Sequence, residues 1–220
     1  MPRKVQYSRE MIIDSAIEMV REKGPECINA RDLGDYMGCS SRPLFTAFRN
    51  MDELIDAVRM EASARFLDSV RAARDAKSAG SAAKRMGMCI VRYAQTEPNL
   101  YKFIHWTGRK MFDVEELSRI MATQYQTDYQ LSDEDAKSFF DHMMIFNMGL
   151  CSLITNGMRQ LAQGEVERIL LEQFSATLAY YKSGKRNIEE KIQTPPSPLR
   201  ERGGCAVTNN KLHSLLYLVR

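Results

Sequence analysis

The sequence has few of the features that mark secreted, membrane-spanning or metal-binding proteins. Its five cysteines among 220 residues are an odd number, widely spaced and without a CxxC pair. We therefore expect neither a disulfide framework nor a zinc cluster, but reduced thiols in a cytoplasm. Charged residues interrupt every apolar run well before the ~18 residues that a membrane span needs. The first residues also lack the apolar core of a secretory signal. These absences predict a cytoplasmic protein with no membrane partner.

Net charge of one sign is also lacking over most of the chain. The formal net charge is +3, but residues 185–220 hold seven Lys or Arg and only three Asp or Glu. The rest of the chain is therefore close to neutral. Bulk charge gives no argument for nucleic-acid binding, so any such argument has to come from local placement.

No stretch alternates β-branched and polar residues as a half-buried strand would, and apolar residues instead recur at three- and four-residue spacing. The pattern predicts an all-α protein with Ser8, Asn29 and Ser132 as N-caps. The predicted helices cover residues 8–23, 29–38, a third that begins after 40, 51–77, 82–96, 98–107, 113–128, 133–158 and 165–182. We divide the chain into an N-terminal three-helix domain (1–50), a larger helical domain (51–182) and a Pro/Gly-rich, flexible tail (183–220).

Residues 29–50, NARDLGDYMGCSSRPLFTAFRN, form the most informative stretch. Two short helices joined by a turn at Gly38, with an earlier helix to brace them, are typical of a helix-turn-helix whose later helix enters the DNA major groove. No acidic residue lies between Gly38 and Met51, as close approach to phosphates requires. The outward residues of the later helix are predicted to be Ser41, Arg42, Phe45, Thr46 and Arg49.

These side chains suit particular DNA groups. Arg42 could fork onto a guanine edge, while Thr46 or the Pro43 ring could contact a thymine methyl. The alternative is that three capped amphipathic helices are simply one end of a helical bundle, with Phe45 in its core and Arg49 a solvated charge.

Residues 9–58 resemble the DNA-binding domain of the TetR (tetracycline-repressor-like) family of bacterial transcription regulators. The resemblance lies in the step Arg31-Asp32-Leu33-Gly34, the Gly-Ser turn, the segment Leu44-Phe45-Thr46-Ala47-Phe48 and the Asp52-Glu53-Leu54 start of the next helix. It implies that Arg31, Ser41, Arg42, Pro43 and Thr46 approach bases, and that Phe45 and Arg49 approach phosphates.

Three positions depart from the family pattern. Phe45 replaces the usual Tyr and Met51 the usual Lys, so that Arg49 or the N–H groups of the fourth helix must hold the phosphate. Gly34 replaces the usual Ala, at an expected cost of ~1 kcal/mol in helix stability.

Residues 82–158 are rich in methionine and aromatic residues, which adapt to large apolar or aromatic ligands. The alternative is ordinary core packing; the expectation of a cavity rests mostly on the family resemblance. The candidate pocket residues are Tyr93, Phe103, Trp106, Met121, Gln124, Met143 and Asn147.

The helices at 133–158 and 165–182 carry more apolar residues than one intramolecular contact needs, which is typical of four-helix-bundle dimers. A buried central helix is the alternative. The candidate interface residues are Phe139, Met143, Phe146, Leu150, Leu171 and Phe174.

Together these features predict a homodimeric transcription regulator rather than an enzyme, with no cofactor and no metal. Residues 1–50 would be its helix-turn-helix DNA-binding domain, and residues 51–182 its helical ligand-binding and dimerisation domain. We expect a repressor that a small apolar or aromatic molecule releases from a palindromic double-stranded DNA operator. One alternative is a DNA-binding adaptor of the same fold that is controlled by a protein partner. A helical enzyme is the other alternative, although the sequence shows no nucleophile–base pair, Gly-rich phosphate loop or two-His motif.

Overall fold

The computed structural model describes residues 7–105 and 114–183, apart from the side chain of Gln163. These residues form nine α-helices and no strand, so the protein is all-helical as the sequence predicts. The predicted tail from residue 184 onward and the pocket candidate Trp106 lie outside the described residues. The helices are α1 (Arg9–Lys23), α2 (Ala30–Tyr36), α3 (Arg42–Ala47), α4 (Met51–Asp75), α5 (Ala82–Thr96), α6 (Pro98–His105), α7 (Val114–Tyr129), α8 (Asp133–Thr155) and α9 (Gln163–Lys182).

Side-chain caps begin the helices where the sequence predicts them. Ser8 Oγ accepts from Met11 N at 3.2 Å, and Ser132 Oγ accepts from Asp135 N at 3.1 Å. Each cap satisfies one of the backbone N–H groups that the first helical turn leaves unpaired. Helix α8 ends at Thr155, earlier than the predicted residue 158, because Gly157 adopts φ 68° and turns the chain.

Helix α5 is central, since it contacts α4, α6, α7, α8 and α9. Helix α6 is short but links the N-terminal helices to the later ones, because it contacts α1 and α4 as well as α5 and α8. The core is aromatic, and its largest fully buried side chains include Tyr101, Tyr125, Phe66, Phe103 and Phe139. It runs without interruption from α1 to α9. The division of the chain after residue 50 therefore remains a prediction.

Candidate nucleic-acid interface and interior cavities

Helices α2 and α3 are held together by a tight turn. Asn29 caps α2, since its Oδ1 accepts from Asp32 N at 2.9 Å. Its Nδ2 also donates to the Asp32 side chain, at 2.7 Å from Oδ2. Gly38 takes φ 67° in the turn, a conformation that favours glycine. A Cβ on Gly34 would lie 2.9 Å from the carbonyl oxygen of Cys39. Glycine at position 34 thus permits the close approach of α2 to the turn. The sequence predicts only its cost in helix stability, not this packing role.

The predicted outward face of α3 is on the surface. Phe45 is 51% exposed, so its alternative interpretation as a core residue is wrong. Arg42 and Thr46 are exposed and Pro43 is half-buried. Thr46 Oγ1 donates to Arg42 O at 3.1 Å, which commits the hydroxyl to the helix and leaves the methyl group for apolar contact. Leu44, on the same helix, is fully buried.

Three predicted DNA contacts remain, namely Ser41, Arg31 and Arg49. Ser41 is half-buried at the start of α3. Arg31 on α2 is 90% exposed and lies 4.0 Å from Asp35 Oδ2, a weak contact at the surface. Arg49 is 89% exposed but its Nε donates to Glu53 Oε2 at 3.1 Å. Its charge is therefore partly balanced before any phosphate approaches.

Glu53 joins α1, the end of α3 and the start of α4. Its carboxylate accepts from Arg49 N at 2.9 Å and from Arg9 Nη1 at 3.1 Å. These contacts, led by the backbone hydrogen bond from Arg49, lower the pKa of Glu53 to about 2. Arg9 also donates to Ala47 O at 2.9 Å and lies over the Phe48 ring at 4.0 Å. Arg9 therefore holds the three helices together, a role that the sequence pattern did not reveal.

The interior contains two small cavities of about 30 Å³ each. The α6-side cavity lies among α4 to α8, and the α9-side cavity lies among α5, α7, α8 and α9. Both cavities are lined by Tyr125, Met143 and Asn147. A volume of this size holds one or two water molecules, so neither cavity admits a large ligand without rearrangement of its lining.

Three of the predicted pocket residues, Met121, Met143 and Asn147, line these cavities, and three others do not. Tyr93 packs edge-on against Phe66, with ring centroids 5.0 Å apart. Phe103 packs against α4, and Gln124 donates to Asp128 at 2.7 Å. Their place in a ligand pocket stays a prediction, because residue type does not show which way a helical side chain points. Tyr101, Tyr125, Met144 and Met148 line the cavities instead.

The α6-side cavity has an apolar and uncharged lining among the described residues. Burial lowers the pKa of His105 to about 4, so this side chain is neutral at pH 7. Burial also raises the pKa of the Tyr101 and Tyr125 hydroxyls. Asn147 is 7% exposed, and its Oδ1 has no hydrogen-bond partner.

The surface formed by α8 and α9 differs from the predicted interface. Phe139, Met143 and Leu150 are buried in the chain's own core, where they cannot reach a partner. Phe139, for example, packs against Tyr125 with ring centroids 4.6 Å apart. Helical spacing places apolar residues on stripes but does not show which stripe faces inward, which is why the prediction was wrong for these three. Of the other predicted residues, Phe146, Leu171 and Phe174 are partly exposed.

An apolar groove between α8 and α9 remains open to solvent. Ile145 is 72% exposed at its centre, and Leu153 is 40% exposed further along α8. The groove is lined by His142, Ile145, Phe146, Gln173, Ala176, Thr177 and Tyr180. We refer to these seven residues as the α8–α9 groove.

No group of three or more His, Cys, Asp or Glu side chains among the described residues could hold a metal ion. Within the same ranges, no helix is both long enough and apolar enough to cross a membrane.

Comparison with known proteins gives a likeness of fold. No family model and no curated protein matches the sequence. A solved structure of the fatty acid degradation regulator FadR from Bacillus halodurans is similar, with a TM-score of 0.51 and 14% sequence identity. The match covers 80% of this chain and 97% of that one. The chain therefore shares an all-helical fold with a solved regulator.

Proposed function

We propose that the protein is a homodimeric, ligand-responsive transcription regulator of the bacterial TetR type that acts as a repressor in the cytoplasm. The observation that carries the proposal is the exposed, acid-free face of α3 beside the tight turn from α2. The likeness of the chain's fold to that of a solved regulator supports the same interpretation.

Side chains on this face suit direct reading of base edges. Arg42 has no ion-pair partner within the described residues, so its five N–H donors are available for a guanine edge. The Thr46 methyl and the exposed Phe45 ring offer apolar surface to a thymine methyl or to sugar groups. Arg31 and Arg49 are both about 90% exposed, so either can exchange its carboxylate neighbour for a phosphate.

The test is selection from a random duplex library by the purified protein, by Arg42→Ala and by Arg168→Ala. Arg168 is an exposed arginine on α9 that pairs with Glu172 at 2.9 Å, so its removal matches the charge change away from α3. We expect an inverted repeat with half-sites about one turn (~34 Å) apart. Arg42→Ala should lose preference at one base in each half-site, at ~1–3 kcal/mol per contact, while Arg168→Ala reads the wild-type motif. No motif at low salt, or an unchanged motif with Arg42→Ala, would refute DNA reading by α3.

Dimerisation through the α8–α9 groove would cover its exposed apolar side chains and place two reading heads on one operator. We expect Ile145→Glu to convert a dimer to monomer in sedimentation velocity, because the substitution puts a charge at the centre of the groove. Met60→Glu is the matched control, since Met60 is 73% exposed on α4 and lies outside the groove. A wild-type monomer, or equal behaviour of the two variants, would contradict this interface.

Helix α6 offers a route from the interior to the DNA-binding helices. Glu97 Oε2 accepts from Arg21 Nε of α1 at 2.8 Å, and Asn99 Nδ2 donates to Arg21 O at 3.0 Å. On the other side, the buried Arg59 of α4 donates to Phe103 O at 3.4 Å. A ligand that displaces α6 would thus move both α1 and α4 and change the separation of the two reading heads. Ligand and operator would then oppose each other by linkage.

The small size of the interior cavities favours a second candidate, an adaptor of the same fold that binds a protein partner instead of a small molecule. Two cavities of about 30 Å³ require side-chain rearrangement before they accept a ligand. The two candidates differ in what releases the DNA. A small molecule that lowers operator affinity supports the first, and release only by a second protein supports the second.

A further inference from the structure

Asn147 is an unusual residue for the position it occupies. It lies on α8 with only 7% of its surface exposed, and its buried Oδ1 has no hydrogen-bond partner among the described residues. Leaving a buried acceptor unsatisfied costs about 1–3 kcal/mol, whereas an apolar residue of similar size would fill the site without that cost. An acceptor kept at this position is therefore suited to a donor that arrives from elsewhere.

The surroundings of Asn147 show where such a donor would come from. Asn147 lines both interior cavities, together with Tyr125 and Met143. Met143 is unbranched and flexible, so rotation about its side-chain bonds offers a way to join the two cavities that it lines. The joined space would extend from α6 to α9, with Asn147 and apolar or aromatic side chains in its wall.

The charges around the site restrict the ligand. The described lining of the α6-side cavity includes no Lys or Arg, and His105 is neutral at pH 7. At the α9-side cavity, Lys84 is paired with Glu167 at 2.8 Å. A carboxylate would therefore enter without a free cation to balance it, and burying an unpaired charge is costly. A second acceptor facing Asn147 Oδ1 would also be unfavourable.

We propose that the joined cavities bind a neutral, elongated apolar molecule with one hydroxyl or N–H group, which donates its hydrogen bond to Asn147 Oδ1. This inference rests on the proposed ligand-responsive function and narrows its effector to uncharged donors. It assigns Asn147 as the residue that distinguishes alcohols from ethers and carboxylates.

Three probes of equal chain length test the assignment at pH 7.4: 1-octanol, methyl octyl ether and octanoate. Binding is measured by calorimetry and thermal shift on the full-length protein. We expect the alcohol to bind at least tenfold more tightly than either of the others, because only the alcohol is both uncharged and a donor. This series needs no variant, so it tests the proposal even if a substitution impairs folding.

Asn147→Leu and Thr155→Val then locate the effect. Thr155 is also on α8 and has a buried hydroxyl without a partner, but it lines neither cavity. Both variants remove an unsatisfied group and should unfold at a temperature equal to or up to about 2–4 °C above that of the wild type. Only Asn147→Leu should make the alcohol and the ether bind equally, while Thr155→Val keeps the preference.

Each other outcome overturns the inference. If no probe binds, Asn147 Oδ1 serves only an internal water. If the alcohol binds no more tightly than the ether, or still binds more tightly than the ether in Asn147→Leu, another group recognises the ligand. Library selection on the same preparations keeps the proposed function separate. A DNA motif without alcohol preference supports the proposed regulator and refutes the Asn147 ligand site. Alcohol preference without a DNA motif supports the ligand site and refutes DNA reading.

Discussion

Gly34→Ala offers a sharp test of the packing between α2 and the turn that leads to α3. In an ordinary helix this substitution is stabilising, because alanine loses less backbone entropy on folding. Here the added Cβ would lie 2.9 Å from the carbonyl oxygen of Cys39 and 3.2 Å from the backbone nitrogen of Ser41. Both neighbours are backbone atoms, so relief requires the turn itself to move.

Two opposing terms set the magnitude. The gain in helix propensity is about 1 kcal/mol. Overpacking against atoms that cannot rotate away costs about 1–3 kcal/mol. We therefore expect Gly34→Ala to lower the free energy of unfolding by up to about 2 kcal/mol. Since α3 follows the turn directly, a shift of Ser41 would also displace the DNA-reading face and weaken operator binding.

Gly87→Ala is the matched control. Gly87 lies within α5, and a Cβ there would meet no atom within 4 Å. The same substitution should then raise the free energy of unfolding by up to about 1 kcal/mol. Urea unfolding of both variants at one protein concentration measures the two values. If Gly34→Ala is stabilising to the same extent as Gly87→Ala, the argument from close approach is refuted.

Two further predictions concern polar links between helices. The contribution of Glu53, whose pKa is lowered to about 2, is present above its unfolded pKa of ~4.3 and is lost as the pH falls toward 2. Urea midpoints should therefore differ between wild type and Glu53→Gln at pH 6 and converge on acidification, and a constant difference would contradict this; Asp52→Asn, on the same first turn of α4, is the control. For the pair between Arg21 of α1 and Glu97, the residue directly before α6, a double-mutant cycle with alanine should give a coupling of roughly 0.5–1 kcal/mol. A value near zero would show that this pair does not hold α1 to the start of α6.

Much of the fold follows from local chemistry that a sequence displays directly. Ser8, Asn29 and Ser132 are N-caps because a side-chain oxygen can satisfy the first free N–H groups of the helix that follows. The bounds of α5 agree with the predicted range 82–96, and the structure shows a cap of the same kind at Ser81.

Side-chain roles that depend on distant partners could not be predicted in this way. Arg9 is one example, because the oxygen that accepts its hydrogen bond belongs to Ala47, 38 residues later in the chain. Phe139 resembled an interface residue until the packing of α7 and α9 placed it in the core. In both cases the deciding contact joins residues that no local pattern relates.

The sequence by itself determined the helical class, the caps and the turn chemistry, because these depend on neighbours within about four residues. Only the tertiary structure decided which apolar stripe of α8 is buried, that Gly34 faces the turn backbone, and that Asn147 has a buried acceptor between two cavities. Those features depend on how helices far apart in the chain pack against one another. Periodicity shows the faces of a helix, but packing determines what each face contacts.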